Sequence, residues 1–202
     1  MDAWVVKLGG SLAESAALSE WLAILARAGR GRAIVVPGGG PFADAVRAAQ
    51  RRSGFDDSTA HSMALLAMDQ YGHQLAAMGN RAFPGTFTLT DTRPRIDAAL
   101  AASSVAVWLP ARMTDAEPHL PREWDLTSDS IAAWFAGVLH ARGLVLVKSV
   151  ALPEQLEMQE LVQRSWVDAR FPESAAAAGV PVRVFGAGQQ ALLEQLLASR
   201  QS

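Results

Sequence analysis

The chain of 202 residues contains no cysteine. That absence removes disulfides, thiolate nucleophiles and cysteine-ligated zinc together, and it fits a reducing compartment. Lysine is nearly absent too: of 18 cationic side chains 16 are arginine, leaving only Lys7 and Lys148. A formal net charge of −2 provides no broad basic surface, so nucleic acid is not an expected partner and any anion site must be local. No apolar run approaches the length of a membrane span, and the opening Met1-Asp2-Ala3-Trp4 lacks a basic leader region. A soluble, cytoplasmic protein with no membrane partner is expected. Residues 38–40 do not form G-x-G-x-x-G, and G-x-x-x-x-G-K-[ST] does not occur, which disfavours dinucleotide and Walker-type sites. Nor does any internal repeat or composition break mark a linker, so residues 1–202 are expected to form one domain.

What is present is an alternation of short apolar runs with helical patterns. Half of the residues are apolar, enough for a sizeable core. Runs at 3–7, 33–36, 105–109, 144–148 and 182–185 have the length and β-branched content of buried strands. Between them, helical spacing predicts helices over 11–28, 41–52, 58–81, 96–102, 131–141 and 189–199, with an alanine-rich one ending at Gly179. Residues 83–103 are otherwise hard to read, 111–123 has turn chemistry suited to a surface connection or a lid, and Pro153-Glu154 opens a short helix. Strands alternating with helices give an α/β fold, a three-layer αβα sandwich with an open, mainly parallel sheet. Met63, Leu66, Met68, Leu75 and Met78 supply the apolar surface of the long helix, as core or as the contact face of a homo-oligomer, a dimer or higher.

Ligands in such a sheet sit beyond the carboxyl ends of the strands. Lys7 with Gly9-Gly10-Ser11, then Gly38-Gly39-Gly40, and finally Lys148 all fall there, and Asp129 opens the helix that leads to the Lys148 strand. Glycine lets backbone N–H groups approach phosphate oxygens closely, and a compact ammonium is a common phosphate ligand. Thr127 or Ser128 is placed to cap the helix that carries Asp129. His61 and His73 are twelve apart with no nearby acidic pair at ligand spacing, so no metal ligand is assigned; Asp44 and Asp125 are read as solvated acids that could also touch substrate or metal.

Three segments in this order, Lys7-Leu8-Gly9-Gly10-Ser11, Val36-Pro37-Gly38-Gly39-Gly40 and Thr127-Ser128-Asp129-Ser130-Ile131-Ala132, resemble the motifs of the amino acid kinase family. The resemblance implies phosphoryl transfer from ATP, with Mg2+, to a small-molecule phosphate or carboxylate acceptor. It implies that Lys7 touches the phosphoryl group in flight and that Asp129 orients the lysine. Gly9, Gly10, Ser11 and Ser128 would line the ATP phosphates, while Gly38, Gly39, Gly40, Asp44 and Thr127 would face the acceptor. On this resemblance about 1–125 is the acceptor-side and phosphate-binding half, and about 126–202 the nucleotide-side half. The family's second lysine is missing from Asp168-Ala169-Arg170-Phe171-Pro172, so Lys148 or Arg170 must replace its charge, with Asp168 also on the nucleotide side. Residues 35–44, 61–71 and 124–133 resemble the branch that phosphorylates an aminomethylfuran-methyl phosphate during methanofuran-type cofactor synthesis, in which Asp44 or Asp69 would pair with the substrate amine. The alternatives are a relative acting on an acyl carboxylate or isoprenoid phosphate, and a noncatalytic nucleotide- or oxyanion-binding protein.

Overall fold

The computed structural model describes residues 1–117, 120, 127–153 and 157–199. Its strands are β1 (Trp4–Leu8), β2 (Ala33–Pro37), β3 (Phe87–Thr90), β4 (Val105–Trp108), β5 (Gly143–Val147) and β6 (Val182–Phe185). Every pairing is parallel, in the order β3-β4-β2-β1-β5-β6. The helices are α1 (Leu18–Ala28), α2 (Gly40–Ser53), α3 (Asp57–Ala82), α4 (Arg93–Ala101), α5 (Ala111–Asp115), α6 (Ser128–Leu139), α7 (Met158–Gln163), α8 (Phe171–Ala178) and α9 (Gln190–Ala198). This is the open αβα sandwich that the alternation of runs predicts.

The central strands are covered on both faces, which is why they are continuously apolar. Successive side chains alternate between two core layers. Val5, Ile34, Val36, Ala106, Trp108, Leu144 and Leu146 join α4, α6 and α8 in one layer. Trp4, Val6, Leu8, Val35, Val107, Val145 and Val147 join α1 and α9 in the other. Trp108 stacks on Phe135 of α6 with ring centroids 3.6 Å apart, fixing that helix against the sheet. Among the described residues no helix is long and apolar enough to cross a membrane.

Three expectations change. Residues 83–103 hold a sixth strand, β3, at the sheet edge, where exposed Thr88 breaks the apolar run that marks a buried strand. The helix expected over 11–28 is broken: Gly10–Leu12 makes one 3₁₀ turn, and helix resumes at Leu18 after Ser15 Oγ accepts the N–H of Ala17. The segment after β4 starts as helix α5, whose first N–H, from Ala111, is held by the Asp69 carboxylate at 3.2 Å. Of the apolar residues expected on the long helix, Met68 and Leu75 are buried within the chain and Leu66 is exposed. Pro118, Pro121, Trp124, Asp125 and Glu154 lie outside the described residues.

Candidate functional site

Strand alternation sends the Lys7 side chain to the same face as Val5, the face that α6 covers. On the neighbouring strand Lys148 follows Val147 directly and shares the face of Leu144 and Leu146. Because Lys7 pairs with Leu146 in register, the two lysines reach the same end of α6 from adjacent strands. Asp129, in the first turn of α6, meets both. Its Oδ1 is 2.8 Å from Lys7 Nζ, and Lys148 Nζ donates to both carboxylate oxygens at 2.9 Å. All three side chains are buried. The placement of the two scarce lysines, each closing an apolar run, is explained by this one carboxylate.

Burial alone would push the Asp129 carboxyl up, but the charges and hydrogen bonds of Lys7 and Lys148 outweigh it and hold the group below the usual carboxylate range. For Lys148, burial and then repulsion from Lys7 outweigh the pull of Asp129, so its ammonium is pushed down to about 8. The cluster therefore carries two cations against one anion, a net positive centre shielded from water and suited to an anionic ligand.

The start of α6 is held by a residue distant in the chain. Asp168 accepts from Thr127 Oγ1 at 2.6 Å, Ser130 N at 3.2 Å, Ser130 Oγ at 2.5 Å and Arg170 N at 3.1 Å. The expectation that Thr127 or Ser128 caps α6 with its own side chain is thereby corrected: neither makes a cap bond, and the Thr127 hydroxyl donates to Asp168 instead. Asp168 thus satisfies N-terminal groups of the helix whose first turn carries Asp129. Arg170 is the N-cap of α8, which packs on α6. A further link joins the loops after β1 and β5, where Ser149 Oγ donates to Ser11 Oγ at 2.9 Å.

The two glycine turns touch. A Cβ on Gly10 would stand 2.4 Å from Gly40 N, and one on Gly38 would stand 2.4 Å from Gly10 N. Gly40 also has φ +54°, which favours glycine. Gly38 is buried behind the turn, while Gly10, Gly39 and Gly40 face an open cleft of about 400 Å³. Lys7, Ser11, Thr127, Ser128 and Asp129 also line the cleft, as do Asp44 and Arg47, which pair at 2.7 Å. Gly9 sits beside Lys7, whose Nζ is 3.7 Å from where a Cβ would be. A smaller pocket of about 60 Å³ adjoins the cleft and shares Gly39, Ala43, Arg47, Thr127 and Ser128 with it; its inner wall is His61, Ala64, Leu65, Met68 and Ile131. Asp69 is turned to Ala111 N, and Asp125 is outside the described residues. Among the described residues no three His, Asp or Glu side chains form a metal cage.

Sequence reasoning missed Arg47, Ser130, Ser149 and the place of His61. Ser130 lies within the Thr127–Ala132 motif but has no role assigned to it there, and the others carry no signal that separates them from ordinary surface and core residues. Chemically, the cleft offers buried positive charge at one end, backbone around two glycine turns along its floor, and an arginine-carboxylate pair at its rim. Such a site can bind a polyanion and stabilise charge that develops on it.

The model of the amino acid kinase family matches residues 2–151. The chain is 28% identical over 148 residues to [5-(aminomethyl)furan-3-yl]methyl phosphate kinase of Methanocaldococcus jannaschii, a match that covers 72% of this chain and 65% of that protein's length. Among solved structures, UMP kinase of Bacillus anthracis superposes with a TM-score of 0.69 at 13% identity, covering 97% of this chain and 91% of that one. Uridylate kinase of Archaeoglobus fulgidus gives 0.67 at 15% identity, with 98% and 96% covered. Both structures share the fold.

Proposed function

The chain belongs to the amino acid kinase family, and from that premise we propose that it transfers the terminal phosphoryl group of ATP to a small acceptor that is itself a phosphomonoester. An acceptor of the [5-(aminomethyl)furan-3-yl]methyl phosphate kind, used in making a methanofuran-type cofactor, fits best, because that is the compound named for the relative at 28% identity. The observation that carries the kinase proposal is the buried Lys7–Asp129–Lys148 cluster at the head of an open cleft.

In this mechanism the bond between the γ-phosphorus and its β-bridging oxygen breaks as an acceptor phosphate oxygen bonds to that phosphorus, and ADP leaves with the bridging electron pair. A phosphomonoester has a second pKa of about 6, so the attacking oxygen is already anionic near neutral pH and needs no general base. What the protein supplies is position and positive charge. Lys7 meets the oxygens of the group in flight, Lys148 holds the donor phosphates, and Asp129 fixes both ammonium groups. Gly9, Gly10 and Ser11 border the donor phosphates, with Ser128, Asp168 and Arg170 supporting the nucleotide half. Gly39, Gly40 and Thr127 border the acceptor, with Gly38 packed behind, and Asp44 is in reach of a cationic amine on it. Mg2+ would enter with ATP as part of the nucleotide substrate, where it would supply charge neutralisation and would need few protein carboxylates.

The test is turnover with ATP and Mg2+ across the furan phosphate, isopentenyl phosphate and acetylglutamate. Formation of the furan diphosphate is expected, and Lys7→Ala should lower kcat by about 10²–10³-fold with an unchanged circular dichroism spectrum. Robust turnover of either other acceptor and none of the furan phosphate would overturn the choice of acceptor; unchanged kcat in Lys7→Ala would overturn the mechanism.

A further inference from the structure

Arg27, Arg30 and Arg32 fall within six residues of one another, from the end of α1 to the start of β2, and the phosphoryl-transfer chemistry uses none of them. With Ala28 and, from α9, Glu194 and Ala198, they line a second open cleft of about 560 Å³, a volume ordinary for a small-molecule site. This cleft lies at the amino end of the sheet: Arg32 directly precedes β2, and its carbonyl accepts the N–H of Trp4, the first residue of β1. The catalytic cleft lies beyond the carboxyl ends, so the length of β2, about 15 Å, separates the two.

Part of the charge answers helix ends. Arg27 is in the last turn of α1, and Arg32 Nη1 donates to Leu197 O in the last turn of α9 at 3.2 Å. That role does not use all of it. Arg27 Nε and Nη2 donate to the two Glu194 carboxylate oxygens at 3.0 and 3.4 Å, a pair that cancels itself. Arg30 Nε donates to Ser103 O at 3.1 Å and its Nη1 to Thr86 Oγ1 at 3.0 Å. The partners of Arg30 and Arg32 are thus neutral oxygens, which pin both guanidinium groups and leave two positive charges uncancelled, with further N–H donors on each.

We propose that this cleft is a second anion site, which takes a small soluble molecule carrying two linked phosphate groups. A guanidinium holds a phosphate by two parallel N–H bonds, and two uncancelled guanidinium groups on one cleft match a diphosphate better than a lone carboxylate. Because the chain as a whole carries a net charge of −2, the positive centre is local, which suits a compact anion and not a long nucleic acid. Glu194 holds Arg27 and opposes an arriving anion, so its carboxylate sets an upper limit on the affinity. A bound diphosphate would tie the α1–β2 turn to α9. None of these residues lines the catalytic cleft, so the site is independent of the kinase proposal.

The experiment is calorimetric titration with inorganic pyrophosphate of wild type and of Lys7→Ala, each alone and combined with Arg30→Gln/Arg32→Gln or with Glu194→Gln. Lys7→Ala removes a cation of the catalytic cleft and leaves the second site intact, so a binding component should survive it. Arg30→Gln/Arg32→Gln keeps a hydrogen-bond donor at each position without the charge, and should weaken that component more than about tenfold, as expected for the loss of two charge-assisted contacts. Glu194→Gln removes the carboxylate that lines the cleft and should tighten the same component about three- to tenfold, a gain that the loss of a merely structural ion pair would not give. Thermal melts provide a second readout: pyrophosphate should raise the melting temperature of Lys7→Ala but not of Lys7→Ala carrying Arg30→Gln/Arg32→Gln. No pyrophosphate bound by Lys7→Ala, an affinity unchanged by Arg30→Gln/Arg32→Gln in either background, or an affinity that Glu194→Gln fails to raise would overturn the second site.

Discussion

Two ammonium groups share one carboxylate at 2.8 and 2.9 Å, and the balance among the three sets how the site responds to pH. Asp129 stays ionised because both lysines outweigh its burial. Its folded-state pKa lies below the unfolded value, so its contribution to stability is present above about pH 4 and is lost as pH falls through the depressed pKa. Lys148 behaves in the opposite sense at the alkaline end. Folding pushes its pKa from 10.5 to about 8, so between those values the unfolded chain holds a proton that the folded chain has released. Its contribution to stability therefore rises with pH across that window. Activity should move the other way: kcat/KM is expected to fall as pH rises through about 8, because a neutral Lys148 cannot hold the donor phosphates. Bound ATP favours the charged amine, so the same limb in kcat should lie at higher pH. A flat kcat/KM from pH 7 to 9.5 would show that Lys148 carries no charge that matters to the reaction.

At the level of elements, α6 depends on a cap that comes from elsewhere in the chain. Asp168 is 41 residues from Thr127 and 38 from Ser130, so no local motif announces it, and Thr127 and Ser128 before an apolar helix suggest a cap of their own. Losing the carboxylate in Asp168→Ala should cost about 1–3 kcal/mol, from the lost cap and the two hydroxyls left without an acceptor. Because Asp129 sits on the same first turn, kcat should fall as well; thermal melts together with kcat would reveal both, and an unchanged melting temperature would remove Asp168 from this role. The glycine turns make a second case, in which the sequence suggests phosphate cradles and the structure adds a packing reason. Gly10→Ala would press a methyl group to 2.4 Å from Gly40 N and should destabilise by about 1–3 kcal/mol and reduce kcat. Gly54→Ala, at φ +67° with open space around it, should cost about 1–2 kcal/mol of backbone strain and leave kcat unchanged. If both variants lost only stability, the contact between the turns would have no part in shaping the cleft.

Across the whole molecule, the central strands were legible because they are buried. Four of the five strands predicted from sequence, β1, β2, β4 and β5, read as apolar runs because helices cover both faces of the central sheet. The fifth, β6, is an edge strand with Arg183 exposed, and was legible from its valines and phenylalanine between Pro181 and Gly186. Edge strand β3, with Thr88 exposed, lost that signature. Lys7, Asp129 and Lys148 were legible because a charged residue closing an apolar strand or opening an apolar helix stands out. Arg47 and His61 were not, since an arginine on a polar helix and a histidine among alanines and methionines look like ordinary surface and core until the fold brings them to one pocket. The sequence also left two cations competing for the place of the family's second lysine, whereas in the structure Lys148 bonds to Asp129 and Arg170 begins α8. We propose that the Lys7–Asp129–Lys148 cluster performs the phosphoryl transfer. Single-turnover formation of the diphosphate from ATP and the furan phosphate, followed in wild type, Lys148→Ala and Arg170→Ala, tests it most directly. The rate should drop about 10²–10³-fold in Lys148→Ala and less than about tenfold in Arg170→Ala; a full rate in Lys148→Ala with a collapse in Arg170→Ala would contradict it.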